Sequence, residues 1–281
     1  MKKRSVDVAV ISDLHLGTYG CHAVELLNYL KSVSPHLLIL NGDIVDGWQF
    51  SKHYFPDTHL QVIREIFSLQ ANGTRVVYIT GNHDEFLRKY SDLQIGNFQL
   101  TDKLVIEIDG KLTWIFHGDV FDNTTKGSAK ILAKLGGHGY DMLILLNRAI
   151  NFSLKKLGRE KISFSKKVKS GVKKAVNFIN RFEETAAILA IEKNYDYVIC
   201  GHIHQPQQRE VITKNGQVTY LNSGDWVENL TALEYYNHDW HIYQYKEEEF
   251  AGTSYQKESR RPGSLNVVKD DIDFYIDSLA M

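Results

Sequence analysis

The chain has 281 residues, 43% of them hydrophobic and 24% charged, and its formal net charge is −1. This is ordinary globular composition with enough length for one large core, and the overall charge points to no particular partner. Cys21 and Cys200 are the only cysteines, which excludes a disulfide framework, and no apolar run approaches the roughly 18 residues of a membrane-spanning helix.

The start of the chain is basic but lacks the apolar stretch of a signal peptide. The apolar run there is only Val8–Ile11, and Ser12 and Asp13 follow it at once. We therefore expect a cytoplasmic protein, either soluble or peripheral on the inner face of the membrane.

Five short runs rich in β-branched residues each end in a polar turn marked by glycine. The runs are Val6–Ile11, His36–Leu40, Arg75–Ile79, Thr113–Phe116 and Tyr195–Ile199. Nearly continuous apolar runs of this kind are typical of strands buried on both faces. Helical patterns over Ala23–Val33 and His59–Gln70 separate several of them. The alternation predicts an α/β core built in layers.

After His204 the pattern changes to closely spaced strands. They are predicted at Gln208–Thr213, Gln217–Leu221, Thr231–Tyr236 and His241–Tyr245. The turn Lys214-Asn215-Gly216 joins the first two, as expected for antiparallel neighbours. Two sheets are therefore predicted.

Two segments differ from this core. Residues from about 128 to 190 lack strand signals and have helical periodicity, and we interpret them as a helical insertion within a domain of residues 1–250. The range 124–185 holds 14 Lys and Arg against 4 Asp and Glu, so it either faces an anionic partner such as a membrane surface or is a solvated helix face. Residues 251–281 are predicted to form a carboxyl-terminal tail.

Each of the five predicted strands ends next to side chains that can bind a metal ion. These are Asp13, His15, Asp43, Asn82, His83, His117, His202 and His204. The carboxyl ends of strands in open α/β sheets meet at one edge, where ligand sites form. Mixed Asp, Asn and His ligands suit Mn²⁺, Fe or Zn²⁺, and eight candidates exceed the four that one tetrahedral site needs. We therefore expect two divalent ions, with Mn²⁺ preferred.

Two metal ions about 3.5–4 Å apart can activate a water and stabilise an in-line displacement at phosphorus. Such a centre needs no serine or cysteine nucleophile. The sequence contains neither a phosphate-binding Gly-x-x-x-x-Gly-Lys-Ser/Thr loop nor a Gly-x-Ser-x-Gly motif that would indicate another chemistry.

Together these motifs resemble the calcineurin-like metallophosphoesterase signature. They are Asp13-x-His15, Gly42-Asp43, Gly81-Asn82-His83-Asp84, His117 and Gly201-His202-x-His204. The resemblance implies a four-layer α-β-β-α sandwich with a dinuclear centre and a bridging hydroxide. It implies that Asp13, His15 and His204 hold one ion, that Asn82, His117 and His202 hold the other, and that Asp43 bridges them. His83 would act on the substrate phosphate as a catalytic residue oriented by Asp84.

Within the superfamily the chain is most similar to the UDP-2,3-diacylglucosamine pyrophosphohydrolase branch, which acts in lipid A biosynthesis. By that resemblance the insertion would be a cap over a lipid-linked or nucleotide-linked phosphoester. Candidate substrate contacts are Asn222, Leu143, Ile144, Lys166 and Lys167, although an apolar stripe of this kind also packs on cores. His83 stands where that branch usually has Arg, so the exact substrate is left open.

Two alternatives have different substrates or roles. The same metal centre would serve a nucleotide or cyclic-nucleotide phosphodiesterase or a nuclease, although we expect no nucleic-acid partner. A non-catalytic scaffold of the same fold is disfavoured because every expected metal ligand is present.

Overall fold

The structure is a computed structural model that describes residues 3–48, 54–121 and 166–250, with side chains described from residue 179 onward in the last range. The chain divides into two compact units, Met1–Lys246 and Glu247–Met281. In the second unit the described element is a short 3-10 helix, Glu247–Phe250.

The first unit contains twelve described strands and three described α-helices. The strands are β1 (Arg4–Ile11), β2 (Val33–Asn41), β3 (Arg75–Ile79), β4 (Gln94–Ile95), β5 (Phe98–Thr101), β6 (Lys103–Ile108), β7 (Lys111–Phe116), β8 (Tyr197–Cys200), β9 (Gln207–Thr213), β10 (Gly216–Asn222), β11 (Thr231–Tyr236) and β12 (Asp239–Gln244). The α-helices are α1 (Ala23–Ser32), α2 (Asp57–Ala71) and α3 (Lys166–Glu192), and a 3-10 helix spans Glu85–Tyr90.

The strands form two sheets, as predicted. One has seven strands in the order β12-β11-β1-β2-β3-β5-β4, and the other has five in the order β6-β7-β8-β10-β9. β1, β2 and β3 are parallel neighbours in the first sheet, and β7 and β8 are parallel neighbours in the second. The carboxyl ends of these five strands are the ones that carry the predicted ligands.

The main core lies between the two sheets. Val10, Ile39 and Ile79 from the seven-stranded sheet pack with Ile115 and Ile199 from the five-stranded sheet, and all five are fully buried. Burial of apolar surface stabilises a fold by about 25 cal/mol per Å². We therefore regard the burial of this shared layer as the main interaction that holds the two sheets together.

Helices cover the outer faces. α1 packs on β2 and α2, and its buried Tyr29 contacts the ring of Tyr243 in β12 at 4.7 Å. On the other side, Phe182, Ala186 and Ala190 of α3 pack against the five-stranded sheet. The predicted four-layer α/β sandwich is therefore confirmed. The carboxyl-terminal half of α3 belongs to this sandwich, and the helical cap stays a prediction for residues that lie mostly outside the described ranges.

Some element boundaries differ from those expected. α1 ends at Ser32, and β2 begins at Val33, three residues before the predicted start. Pro35 explains this difference because proline disfavours helical geometry in the residue before it. β4, β5 and β6 were not predicted, although the turns Gly96-Asn97 and Asp109-Gly110 are hairpin signals, and β4–β5 and β6–β7 are indeed antiparallel hairpins.

No helix among residues 3–48, 54–121 and 166–250 has the length and apolar character needed to cross a bilayer.

Candidate metal centre

The loops after β1, β2, β3, β7 and β8 meet at one edge of the sandwich. Backbone hydrogen bonds join these loops directly. The N–H of Asp13 donates to Gly42 O at 3.0 Å, that of His15 donates to Asp43 O at 3.0 Å, and that of Gly201 donates to His117 O at 2.9 Å. The predicted ligands are therefore held together by the backbone as well as by their side chains.

One group of side chains consists of Asp13, His15 and His204, whose ligand atoms lie within 4.8 Å of one another. His204 Nε2 is 3.2 Å from Asp13 Oδ1 and 3.4 Å from His15 Nε2. Asp13 is fully buried, and its Oδ1 makes no hydrogen bond within the described structure. Three electron-pair donors thus converge on one point.

These charges act on each other strongly. Burial opposes a charge on His204, but Asp13, Asp225 and Asp43 together raise the pKa of His204 to about 9. Burial likewise opposes the charge on Asp13, and His204 lowers the pKa of that carboxyl below its usual value. The buried Asp13 carboxylate therefore requires a positive charge beside it, which either a proton on His204 or a bound cation can supply.

A second group consists of Asp43, His117 and His202, again with ligand atoms within 4.8 Å. His117 Nδ1 lies 2.9 Å from Asn41 O, to which it donates in that tautomer, and its Nε2 then faces Asp43 Oδ2 at 3.2 Å. His117 Nε2 makes no hydrogen bond with any described residue. The lone pair of His117 Nε2 and the carboxylate oxygen of Asp43 could therefore both bind one cation. Histidines whose other ring nitrogen donates to a backbone carbonyl are typical metal ligands.

Asn82 adds an oxygen ligand of the type expected for such a site. Its Oδ1 is buried and has no hydrogen-bond partner among the described residues. An unpaired buried amide oxygen costs about 1–3 kcal/mol, and binding to a cation would remove that cost.

Five of the seven candidate ligands have left-handed backbone conformations. Their φ angles are 54° for Asp13, 49° for His15, 54° for Asp43, 65° for His202 and 55° for His204. Each such conformation costs a non-glycine residue roughly 1–3 kcal/mol and persists only where its surroundings over-determine it. Of the eleven described non-glycine residues with positive φ, these five lie together at one edge, which supports a functional site there.

Two glycines are required by the close packing of these ligands. Gly42 has φ +81°, and a Cβ there would overlap the imidazole of His117. A Cβ on Gly81 would overlap the carboxylate of Asp43. The Gly-Asp and Gly-Asn steps of the sequence therefore leave the room that the ligands occupy.

The structure adds a residue that the sequence analysis missed. Asp46 Oδ2 lies 2.8 Å from His83 Nδ1 and 3.1 Å from His15 Nδ1. Burial opposes its charge, but the neighbouring imidazoles of His15 and His83 lower the pKa of Asp46. The sequence signal for Asp46 was its position three residues after Asp43, in the same loop. The bridge between Leu16 and Val45 holds that loop beside the loop of His15.

His83 lies at the edge of the candidate metal centre, beside His15 and Asp43. Its side chain is 17% exposed, and its N–H donates to Asp43 Oδ1 at 2.8 Å. The exposed Trp48 ring lies 4.4 Å from the His83 ring. Burial lowers the pKa of His83, but Asp46 and Asp43 outweigh burial and raise it.

Asp84 was predicted to orient His83, and the contacts of the structure correct this assignment. Its carboxylate accepts hydrogen bonds from the Tyr78 hydroxyl at 2.6 Å, the Ile44 N–H at 2.9 Å and the Gly81 N–H at 2.5 Å. Asp84 therefore ties the loop after β2 to the loop after β3, and the carboxylate paired with His83 is that of Asp46.

Of the predicted substrate contacts, only Asn222 has a described side chain. Asn222 is fully buried, and its amide donates to Gly201 O at 2.9 Å while its Oδ1 accepts from the Gly224 N–H. A side chain held in this way supports the turn and is not available to a substrate. Leu143 and Ile144 lie outside the described residues, and Lys166 and Lys167 are described as helix backbone alone.

Comparison with known proteins agrees with this geometry. The family model described as calcineurin-like phosphoesterase matches residues 6–206. UDP-2,3-diacylglucosamine hydrolase of Aliivibrio fischeri (strain MJ11) is 25% identical over 234 residues, which cover 81% of this chain and 94% of that protein. The protein of the same name from Shigella sonnei (strain Ss046) is 26% identical over 220 residues, which cover 77% and 89%.

Among solved structures, an archaeal phosphodiesterase is 16% identical, covers 84% of this chain and 98% of its own, and has a TM-score of 0.39. With its match over residues 6–206 and its candidate metal ligands at the matching strand ends, the chain belongs to the calcineurin-like phosphoesterase family of hydrolases.

Proposed function

We propose that the chain hydrolyses a phosphoester or pyrophosphate bond with two divalent metal ions. Asp13, His15 and His204 would hold one ion, and Asn82, His117 and His202 would hold the other. Asp43 would be shared between the two ions. The observation that carries this proposal is that the ligand groups Asp13–His15–His204 and Asp43–His117–His202 share no residue and adjoin each other at one edge of the sandwich. A third group, His15–Asp43–His83, takes one residue from each of them.

The donor set supports Mn²⁺ as the preferred ion, with Fe or Zn²⁺ as further candidates, because imidazole nitrogens are mixed with carboxylate and amide oxygens. When bound, such a pair of ions supplies a nucleophile at neutral pH and stabilises charge on the phosphoryl oxygens. The unpaired buried atoms Asp13 Oδ1, Asn82 Oδ1 and His117 Nε2 fit this use.

The protein's own part in the reaction would fall to His83 and Asp46. Asp46 Oδ2 lies 2.8 Å from His83 Nδ1, so Nε2 would be the ring nitrogen that acts on the substrate. A protonated His83, favoured by the neighbouring carboxylates, would donate a proton to the leaving oxygen. Asp46 would keep the ring in the required orientation.

For the substrate we propose a lipid-linked or nucleotide-linked phosphoester, such as UDP-2,3-diacylglucosamine. The names of the relatives from Aliivibrio fischeri and Shigella sonnei support this class. The predicted cap, without the part of α3 from Phe182 onward that packs on the five-stranded sheet, would hold the apolar part. The second candidate is a nucleotide or cyclic-nucleotide phosphodiesterase, which is favoured by His83 standing where the lipid A branch usually has Arg.

One set of assays separates these substrates. Diacylated UDP-glucosamine, its deacylated form and a cyclic nucleotide are compared at one Mn²⁺ concentration. We expect the diacylated compound to have the highest kcat/KM, because binding energy from the acyl chains can be used to orient the reacting phosphorus. Equal turnover of the deacylated compound, or preference for the cyclic nucleotide, would contradict the lipid-linked assignment.

A further inference from the structure

A buried turn lies directly behind His204, between β10 and β11. Asp225 in this turn is fully buried. Its Oδ1 accepts hydrogen bonds from the N–H of Val227 at 2.7 Å, from that of Asn229 at 3.2 Å and from that of Glu228. One carboxylate oxygen therefore fixes the backbone of the whole turn.

The Asn229 side chain connects this turn to His204. Its Nδ2 donates to the carbonyl oxygen of His204 at 2.6 Å and to Asp225 Oδ2 at 2.7 Å. The Asn229 carbonyl in turn accepts from the Gln244 side chain at 2.6 Å, which anchors the residue to β12. The amide thus bridges a fixed turn and the backbone of a candidate ligand.

His204 needs such support because its backbone is strained. Its φ is +55°, a left-handed conformation that non-glycine residues adopt only where neighbours enforce it. In that conformation His204 Nε2 faces Asp13 Oδ1 at 3.2 Å, while its Nδ1 lies 3.9 Å from Asp225 Oδ2. Release of the carbonyl would let the backbone relax and turn the ring away from Asp13.

We propose that Asn229 is a positioning residue for His204 and acts with Asp225 to set the geometry of one of the two metal sites. This inference rests on the metal centre proposed above. It concerns the Asp13–His15–His204 group, because Asn229 holds the His204 carbonyl, whereas His117 in the other group is held by Asn41 O. Partners of this kind behind a metal ligand typically change metal affinity by about 10–100-fold.

The test is a calorimetric titration of the metal-free full chain with Mn²⁺, comparing wild type with Asn229→Ala. We expect one of two Mn²⁺ sites to weaken by about 10–100-fold and the other to keep its affinity. Asn97→Ala is the matched control, because Asn97 Nδ2 also donates to two oxygens, Gln70 O at 2.9 Å and Thr74 O at 2.8 Å, in another part of the fold. The control should bind two Mn²⁺ ions as wild type does.

Each outcome distinguishes the inference from the proposed function. A wild-type chain that binds no Mn²⁺ would overturn the metal centre and the inference with it. Two wild-type sites that Asn229→Ala leaves unchanged, or weakens equally, would overturn the inference alone. If Asn229→Ala does not fold, Asn229→Ser is titrated instead, because serine keeps the turn polar but is too short to bridge both acceptors. The same selective loss of one site is expected.

Discussion

Asp46 Oδ2 lies 2.8 Å from His83 Nδ1, and the same oxygen lies 3.1 Å from His15 Nδ1. The Asp46 side chain is only 2% exposed, so solvent screens these contacts little. A single carboxylate thus orients both a candidate metal ligand and the candidate proton donor. This arrangement couples the geometry of the metal centre to that of the acid.

Replacing Asp46 by Asn should lower kcat because the neutral amide no longer stabilises a protonated His83. We expect a loss of about 10–100-fold, the usual effect of a partner that orients a ligand. The measurement is hydrolysis of an alkyl phosphodiester at saturating Mn²⁺, because a poor leaving group depends on the proton donor. Asp84→Asn is the matched control, and we expect it to lower the melting temperature with little change in kcat. The reverse pattern, with kcat lost in Asp84→Asn alone, would restore Asp84 as the partner of His83.

Replacing His83 by Ala tests its role as a proton donor rather than a ligand. The variant should keep its bound metal and lose about 10²–10⁴ in kcat, the usual contribution of a general acid. The loss should be smaller for a substrate with a good leaving group such as p-nitrophenolate than for an alkyl phosphodiester. Loss of metal in His83→Ala would show instead that His83 is a ligand, as its place near His15 and Asp43 would allow.

The candidate ligands could be predicted from sequence because each one follows an apolar strand. Runs such as Val6–Ile11 and Arg75–Ile79 are read directly as buried strands, and parallel strands bring their carboxyl ends to one edge. β4 and β5 were missed because they have only two and four residues, which is too short to show a strand periodicity, and β4 is also exposed.

The sequence alone could not predict which side chains from different loops contact each other. The family resemblance of the Gly81-Asn82-His83-Asp84 motif made Asp84 the expected partner of His83. The structure instead brings Asp46 to His83 through the Gly47 N–H, which donates to His83 O at 2.8 Å. Asn222 was misassigned for a related reason, because its burial depends on the turn that folds over it.

The pair formed by Arg4 and Glu234 should contribute to stability. Glu234 is 2% exposed and accepts two hydrogen bonds from the Arg4 guanidinium, at 2.7 and 2.9 Å. Arg4→Ala leaves this buried carboxylate unpaired, and we expect the free energy of unfolding to fall by roughly 1–3 kcal/mol, since Arg4 itself is partly exposed. Urea denaturation measures the change.

Lys3→Ala is the control for that experiment. Lys3 is 42% exposed and makes a single contact of 3.2 Å with Glu65, so its removal should change the unfolding free energy by less than about 1 kcal/mol. Equal effects of the two substitutions would contradict the view that burial of Glu234 makes the Arg4 pair important.

The basic start of α3 is proposed to bind anionic membrane surfaces. Reversing Lys166, Lys167 and Lys169 to Glu should release the chain from vesicles containing phosphatidylserine, because each lysine near such a surface contributes about 1 kcal/mol. Hydrolysis of bis-p-nitrophenyl phosphate should be unchanged. Reversing Lys31, Lys193 and Lys214 is the control with the same change in charge. Equal vesicle binding by both variants would contradict the proposal.

The most direct test of the two-metal account is the metal content of wild type and Asp43→Ala. Asp43 is the residue proposed to contact both ions, and it also lies 3.2 Å from His117 Nε2. Elemental analysis of chains loaded with Mn²⁺ should find two ions per chain in wild type, and fewer ions with no phosphodiester hydrolysis in Asp43→Ala. Two bound ions in an active Asp43→Ala variant would contradict the account.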